Sequence, residues 1–141
     1  MTKYRRIRVV IDTNVWVSYL LGGLAYKTVS KILKNKNVII LTNPTLRAEI
    51  SDVIARPKFK KFFSDQQKED LQYILTIGTE NIVTHSSFSL SRDKDDNFLL
   101  AICYDGKADF LITGDEDLLI LNPFKKTFIL TVKDFESYSK V

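Results

Sequence analysis

The chain has 141 residues, 21 Lys and Arg against 17 Asp and Glu for a formal charge of +4, with 45% hydrophobic and 27% charged residues. That composition suits one folded domain over 1–141 and excludes a disordered chain, and no apolar run approaches the ~18 residues of a membrane span. The basic start (Lys3, Arg5, Arg6, Arg8) lacks the apolar stretch and cleavage site of a signal peptide, and the lone Cys103 can form no internal disulfide, so a cytoplasmic location is expected.

The first strand-length run is Ile7–Ile11. A helical pattern over 26–33 carries Val29, Ile32 and Leu33, and a second strand is expected at 38–41. Asn43 as N-cap and Pro44 at the first helical position announce a helix over 45–55. Ser64-Asp65-Gln66-Gln67 has the form of a capping box before Leu71, Ile74 and Leu75, and Gly78 can stop that helix. A weak strand signal at 82–83 precedes a helix over 97–104 that ends at Gly106. Phe110–Ile112 and Phe128–Leu130 complete the strands, with a short turn over 117–121 cut off by Asn122-Pro123. The strand runs are near-continuous rather than alternating, as in parallel strands covered on both faces. Strands alternating with helices predict an α/β fold, a three-layer α/β/α sandwich around a mostly parallel sheet of four to five strands.

Three acidic stretches carry the chemistry: Asp12 in Ile11-Asp12-Thr13-Asn14, the run Asp93-Lys94-Asp95-Asp96-Asn97, and Thr113-Gly114-Asp115-Glu116-Asp117. The first and last close apolar strands, and the carboxyl rim of a parallel sheet is where ligands bind. Carboxylates gathered there repel by about 4 kcal/mol per pair at ~4 Å and an effective dielectric of ~20. A divalent cation between them would remove that cost. Asp12 could equally be a plain N-cap, although Thr13 and Asn14 could cap as well. Glu49 lies about 85° from the centre of the Leu46/Ile50/Val53/Ile54 stripe and Asp52 about 145°, which turns Glu49 toward a pocket and Asp52 toward water. Periodicity leaves open whether Asp95 or Asp96 faces that pocket. Gly114 would permit a tight turn aiming Asp115 over the sheet edge, and Asp117 could cap the following turn. With one His and one Cys in the chain, the donors are hard oxygens, suited to Mg²⁺ or Mn²⁺. Basic clusters at 3–8, at Lys31, Lys34 and Lys36, and at 56–61 suggest a positive surface around an acidic pocket, as a polyanion-cutting metalloenzyme needs.

These residues resemble the PIN (PilT N-terminal) domain nucleases. The matching stretches are Val10-Ile11-Asp12-Thr13-Asn14-Val15-Trp16, Glu49 on a helix, Asp96-Asn97-Phe98-Leu99-Leu100-Ala101, and Thr113-Gly114-Asp115-Glu116-Asp117-Leu118. Ala55-Arg56-Pro57-Lys58-Phe59 adds a likeness to the branch labelled as toxins of toxin–antitoxin systems. The resemblance implies a metal-dependent endoribonuclease in which Asp12, Glu49, Asp96 and Asp115 surround one or two Mg²⁺ or Mn²⁺ ions. It further implies Asp117 as an auxiliary carboxylate, Asn14 and Thr113 as supporting polar groups, RNA as substrate, a cognate antitoxin protein as partner, and a homodimer. Lys and Arg at the rim would hold the phosphodiester backbone, and Trp16, Tyr19 or Tyr26 would stack bases unless Trp16 belongs to the core. Three alternatives stay open: a non-toxin nuclease, a catalytically silent nucleic-acid-binding module, and a metal-dependent phosphatase with Asp12 as nucleophile. Asn14 counts against the last, since the haloacid-dehalogenase pattern wants a second Asp there.

Overall fold

A computed structural model describes residues 5–138; Lys3 of the basic start and the outermost parts of the expected domain, 1–4 and 139–141, lie outside the described residues. The apolar runs form β1 (Ile7–Ile11), β2 (Val38–Thr42), β3 (Glu80–Asn81), β4 (Phe110–Ile112) and β5 (Phe128–Leu130). All pairings are parallel, in the order β3-β2-β1-β4-β5. The helices are α1 (Thr13–Leu21), α2 (Gly23–Lys34), α3 (Pro44–Ile54), α4 (Asp65–Ile77), α5 (Asn97–Asp105), α6 (Glu116–Leu119) and α7 (Val132–Tyr138). From β1 the chain steps to β2 and β3, then crosses back to β4 and β5. Right-handed crossovers put helices inserted in those opposite steps on opposite faces. On one face α1 packs on α2 and α3, α3 on α4, and α2 on α7; on the other α5 packs on β1 and α6 on β5. The fold is the expected α/β/α sandwich.

Local signals explain most boundaries. Asn43 caps α3 through a bond from Leu46 N–H at 2.8 Å, and Pro44 opens it. Ser64 and Gln67 form the capping box of α4, and Gly78 ends it. α2 begins earlier than expected because Gly22 and Gly23, at φ 109° and 71°, reverse the chain directly after α1. The weak fifth strand is Glu80–Asn81 rather than 82–83. Glu80 and Asn81 pair with Leu41 and Thr42, and Arg8 holds the Glu80 carboxylate at 2.6 Å. Ile82 is the buried residue at the strand's exit and Val83 is exposed, so the apolar pair marks where the strand ends. α7 carried no expectation; it is fastened to α2 by Glu136, which accepts from Thr28 at 2.8 Å and Lys31 at 2.6 Å.

The core runs along both faces of the sheet, with Val9, Val10, Ile11, Leu111 and Ile112 fully buried. α5 buries Leu99, Leu100, Ile102 and Cys103 almost all round, and truncating a leucine there would cost about 2–5 kcal/mol. That packing also anchors Asp96, the residue immediately before α5.

Candidate active site

β1 is flanked by β2 and β4, so the chain's direction of travel across the sheet reverses there and leaves a crevice at the carboxyl ends of β1 and β4. Asp12 leaves β1 with its N–H still on Ile112 O at 3.0 Å. It is the N-cap of α1, and its carboxylate does two jobs: Oδ1 accepts from Thr13 N–H at 2.7 Å and Oδ2 from the Thr113 hydroxyl at 2.7 Å. Burial pushes the Asp12 pKa up; the bonds from Thr113 and Thr13 pull it down, and the charges of Glu49 and Asp115 raise it further.

Glu49 looks into the same crevice from α3, half-buried, while Asp52 one turn on is exposed. The Thr13 hydroxyl donates a short hydrogen bond to Glu49 Oε1. Thr13 thus clamps Asp12 with its amide and Glu49 with its hydroxyl.

Asp96 ends a 3₁₀ turn, Lys94–Asp96, and precedes α5 without spending its carboxylate on the cap. Asp93 closes that turn by accepting from Asp95 N–H at 3.0 Å, and Asp95 is exposed. Asp96 Oδ2 is buried and has no hydrogen-bond partner among the described residues. Burial, contact with the Asp115 carboxyl, and the charges of Asp115, Asp12 and Asp93 raise the Asp96 pKa to about 8. All of these causes disfavour a charge on Asp96, so near neutral pH its carboxyl keeps its proton.

Asp115 is placed by Thr113, whose hydroxyl oxygen accepts from Asp115 N–H at 3.0 Å while its own hydrogen goes to Asp12. Asp115, not Asp117, caps α6, accepting from Asp117 N–H at 2.9 Å. The expected role of Gly114 also changes. Its φ is not positive and a Cβ there would meet nothing within 4 Å, so the Thr113 hydroxyl rather than a glycine turn aims Asp115. Asp117 pairs with the exposed Arg92 at 3.2 Å. Asn14 lines the cleft mouth, exposed.

The cleft holds about 260 Å³ and is lined by Asp12, Thr13, Asn14, Glu49 and Asp96, with Arg56, Lys58 and Phe59 on the side after α3. Pro57 produces this arrangement: it holds Arg56 extended (φ −62°, ψ 141°) and opens the 3₁₀ turn Pro57–Phe59. Of the basic clusters, the one at 56–61 therefore reaches the acidic cleft. Arg5 and Arg6 precede β1, Arg8 lies at its start, and Lys34 and Lys36 precede β2, all toward the opposite end of the parallel strands. Trp16 is fully buried and cannot stack a base; Tyr19 stacks on the exposed Tyr26 at 5.5 Å, outside the cleft lining.

The PIN domain family matches residues 8–117, which takes in every one of these acidic positions. The chain belongs to the PIN domain family. An uncharacterized protein, MJ1680, of Methanocaldococcus jannaschii is 31% identical over 125 residues, covering 86% of this chain and 79% of that protein. PIN domains are generally metal-dependent nucleases that use Mg²⁺ or Mn²⁺, bind nucleic acid and often pair with antitoxins. The chemistry of the cleft lining fits such an ion: the carboxylates of Asp12, Glu49 and Asp96, no imidazole or thiolate, and the unpartnered buried oxygen of Asp96. Among the described residues no group of three or more His, Cys, Asp or Glu side chains is already gathered to hold one. No described helix is long and apolar enough to cross a membrane.

Sequence reasoning did not pick out Thr13, Arg56 or Lys58 as site residues. Thr13 gave no signal because its partner Glu49 is 36 positions away. Arg56 and Lys58 could have been found from Pro57, which forces the chain to turn directly after the helix carrying Glu49.

Proposed function

We propose that this PIN domain is a metal-dependent endoribonuclease that hydrolyses phosphodiester bonds in single-stranded RNA. The observation that supports it best is the pairing, in one cleft, of Asp12, Glu49 and Asp96 with the cations Arg56 and Lys58. Asp12, Glu49, Asp96 and Asp115 would hold Mg²⁺ or Mn²⁺, with Asp117 at the margin. When bound, the cation supplies charge compensation at the scissile phosphate and lowers the pKa of the attacking water.

The remaining work falls to the chain. Arg56 and Lys58 attract the phosphate backbone and orient it without reading bases. The Phe59 ring beside them, with Lys58 Nζ 5.0 Å from its centroid, offers a stacking face for a base next to the cleaved linkage. Thr13 fixes the Glu49 carboxylate, whose Oε2 is then the oxygen available to take a proton from water. The hydroxyl bond from Thr113 opposes the upward push that burial gives the Asp12 pKa. The proton on Asp96 would compete with a bound cation, so occupancy would rise with pH.

Cleavage of single-stranded RNA, DNA and a small phosphomonoester, with Mg²⁺ or Mn²⁺ and with excess EDTA, tests this reading. RNA cleavage that EDTA stops and that Asp12→Asn and Asp115→Asn abolish is expected. Undiminished cleavage in EDTA, or turnover of the phosphomonoester alone, would reject it. The finer reading, a cytoplasmic toxin that dimerises and is held by an antitoxin, predicts growth arrest on expression of the chain alone and rescue by the product of an adjacent reading frame.

A further inference from the structure

Because every strand is parallel, the loops entering them meet at one rim, opposite the acidic cleft. That rim collects exposed cations from four separate loops: Arg6 before β1, Lys36 before β2, Lys107 before β4, and Lys125 and Lys126 before β5. The acids nearby are already matched. Asp109 takes both Arg5 guanidinium nitrogens at 2.6 and 3.1 Å, Glu80 takes Arg8, and Asp105 accepts from the amides of His85 and Ser86. The cations named first are therefore not neutralised by these neighbours.

Two of them occupy conformations that lysine disfavours. Lys107, at φ 54°, follows the end of α5, where Ala108 N–H returns to Cys103 O at 2.9 Å. Lys125, at φ 52°, is the first central residue of a tight turn closed by the mutual backbone bonds of Phe124 and Thr127. Gly or Asn is the low-energy choice at both kinds of position. A lysine at each keeps a cation at this rim against a local backbone cost.

Between these loops lies an open groove of about 510 Å³ with Arg6 and Lys126 on its walls and Phe110, Phe128 and Tyr138 on its floor. Phe110 is buried and carries the other two rings at 6.2 and 5.5 Å; Phe128 is 50% and Tyr138 67% exposed. Exposed ring faces beside unneutralised cations match what single-stranded nucleic acid needs, stacking for bases and charge for phosphates. A polyanion without bases would use the lysines and leave the rings idle.

We propose that this rim is a second RNA-binding surface, which holds single-stranded RNA at the end of the sheet opposite the cleft. It deepens the ribonuclease reading by giving long single strands an additional hold. A five-residue β1 sets the two ends at least about 17 Å apart, so a strand of about four nucleotides would engage one end and one of about 16 nucleotides could engage both.

The experiment uses the full chain and fluorescently labelled single-stranded RNA of those two lengths. Binding of the longer RNA is followed by anisotropy in EDTA over a range of salt, and cleavage of the shorter one in Mg²⁺. Reversing both exposed charges, Arg6→Glu with Lys126→Glu, should weaken the longer RNA at least ~10-fold and flatten the log K against log salt slope by about 1.4, at about 0.7 per lost phosphate contact. Phe128→Ser should weaken binding without changing that slope. Lys125→Gly should raise Tm, by relieving its backbone, and still weaken the longer RNA. Cleavage of the short RNA should be unchanged in all of them. Longer-RNA affinity and slope that ignore these changes would overturn the inference while short-RNA cleavage left the ribonuclease reading intact. Rim-dependent binding without any metal-dependent cleavage would do the reverse. A shift in sedimentation, with unaltered RNA affinity, would show the rim to be a contact between copies and also overturn it.

Discussion

Replacing Asp96 by Asn should stabilise the metal-free protein, and the gain should depend on pH. Asp96 titrates at about 8 in the folded chain against an ordinary value of 3.8, chiefly through burial and then through its contact with Asp115. A carboxyl whose folded pKa is raised contributes most to stability below its unfolded pKa. The contribution is lost as pH climbs toward the folded value, here between about 4 and about 8. Linkage at about 1.4 kcal/mol per pH unit over that window would exceed 5 kcal/mol, but a half-exposed carboxyl is screened by water, and about 1–2 kcal/mol is the expected residue. With about 2 cal/mol/K of unfolding entropy per residue, that corresponds to a Tm difference of roughly 3–7 °C. In EDTA, Asp96→Asn and wild type should melt together near pH 4, diverge with rising pH in favour of the variant, and hold a constant gap above pH 8. Mg²⁺ or Mn²⁺ should raise the wild-type Tm and leave the variant nearly unmoved. A Tm difference that is flat from pH 4 to 9, or an Asn variant less stable at pH 8, would refute the reading that Asp96 keeps its proton at neutral pH.

Glu49→Gln should lower the cleavage rate at least ~10-fold, equivalent to about 1.4 kcal/mol of barrier, whereas Asp52→Asn on the same helix should leave rate and stability within experimental scatter. Equal losses in the two variants, measured as kcat/KM on one RNA, would mean that Glu49 acts through general charge alone. Thr13→Val should reduce kcat with little change in KM and Thr13→Ser should restore it, because the hydroxyl positions Glu49 without touching substrate; a KM effect of equal size would contradict this. Glu136 is held below its ordinary pKa of 4.5, first by Lys31 and Thr28. Its contribution is therefore present above pH 4.5 and lost as pH falls through the lower folded value, so Glu136→Gln should lower Tm at pH 7 and show a shallower decline in acid melts.

What the sequence determined by itself is what each segment settles with its own neighbours. Apolar runs of five or fewer residues read as buried parallel strands. Asn43 with Pro44, and Ser64 with Gln67, read as helix starts because a cap bonds to amides two or three residues on. The 3.6-residue period sufficed to turn Glu49 toward the crevice and Asp52 away from it, since a helix carries its own phase. The acidic stretches could be recognised as separate pieces for the same reason.

Which pieces meet was decided by the tertiary structure. β1 and β4 are about 100 residues apart in the chain, yet their pairing brings the Thr113 hydroxyl onto Asp12 and, through it, sets Asp115. No local pattern contains that bond, so sequence reasoning assigned the turn to Gly114 and the cap to Asp117. The short β3 escaped for a related reason: the sheet edge is defined by the partner strand and by Arg8, not by the hydrophobicity of residues 82–83. Charge shows the difference most plainly. The sequence shows clusters of Lys and Arg, but only a parallel sheet, which sends all strand entrances to one rim and all exits to the other, separates the cations that border the acidic cleft from those that gather opposite it.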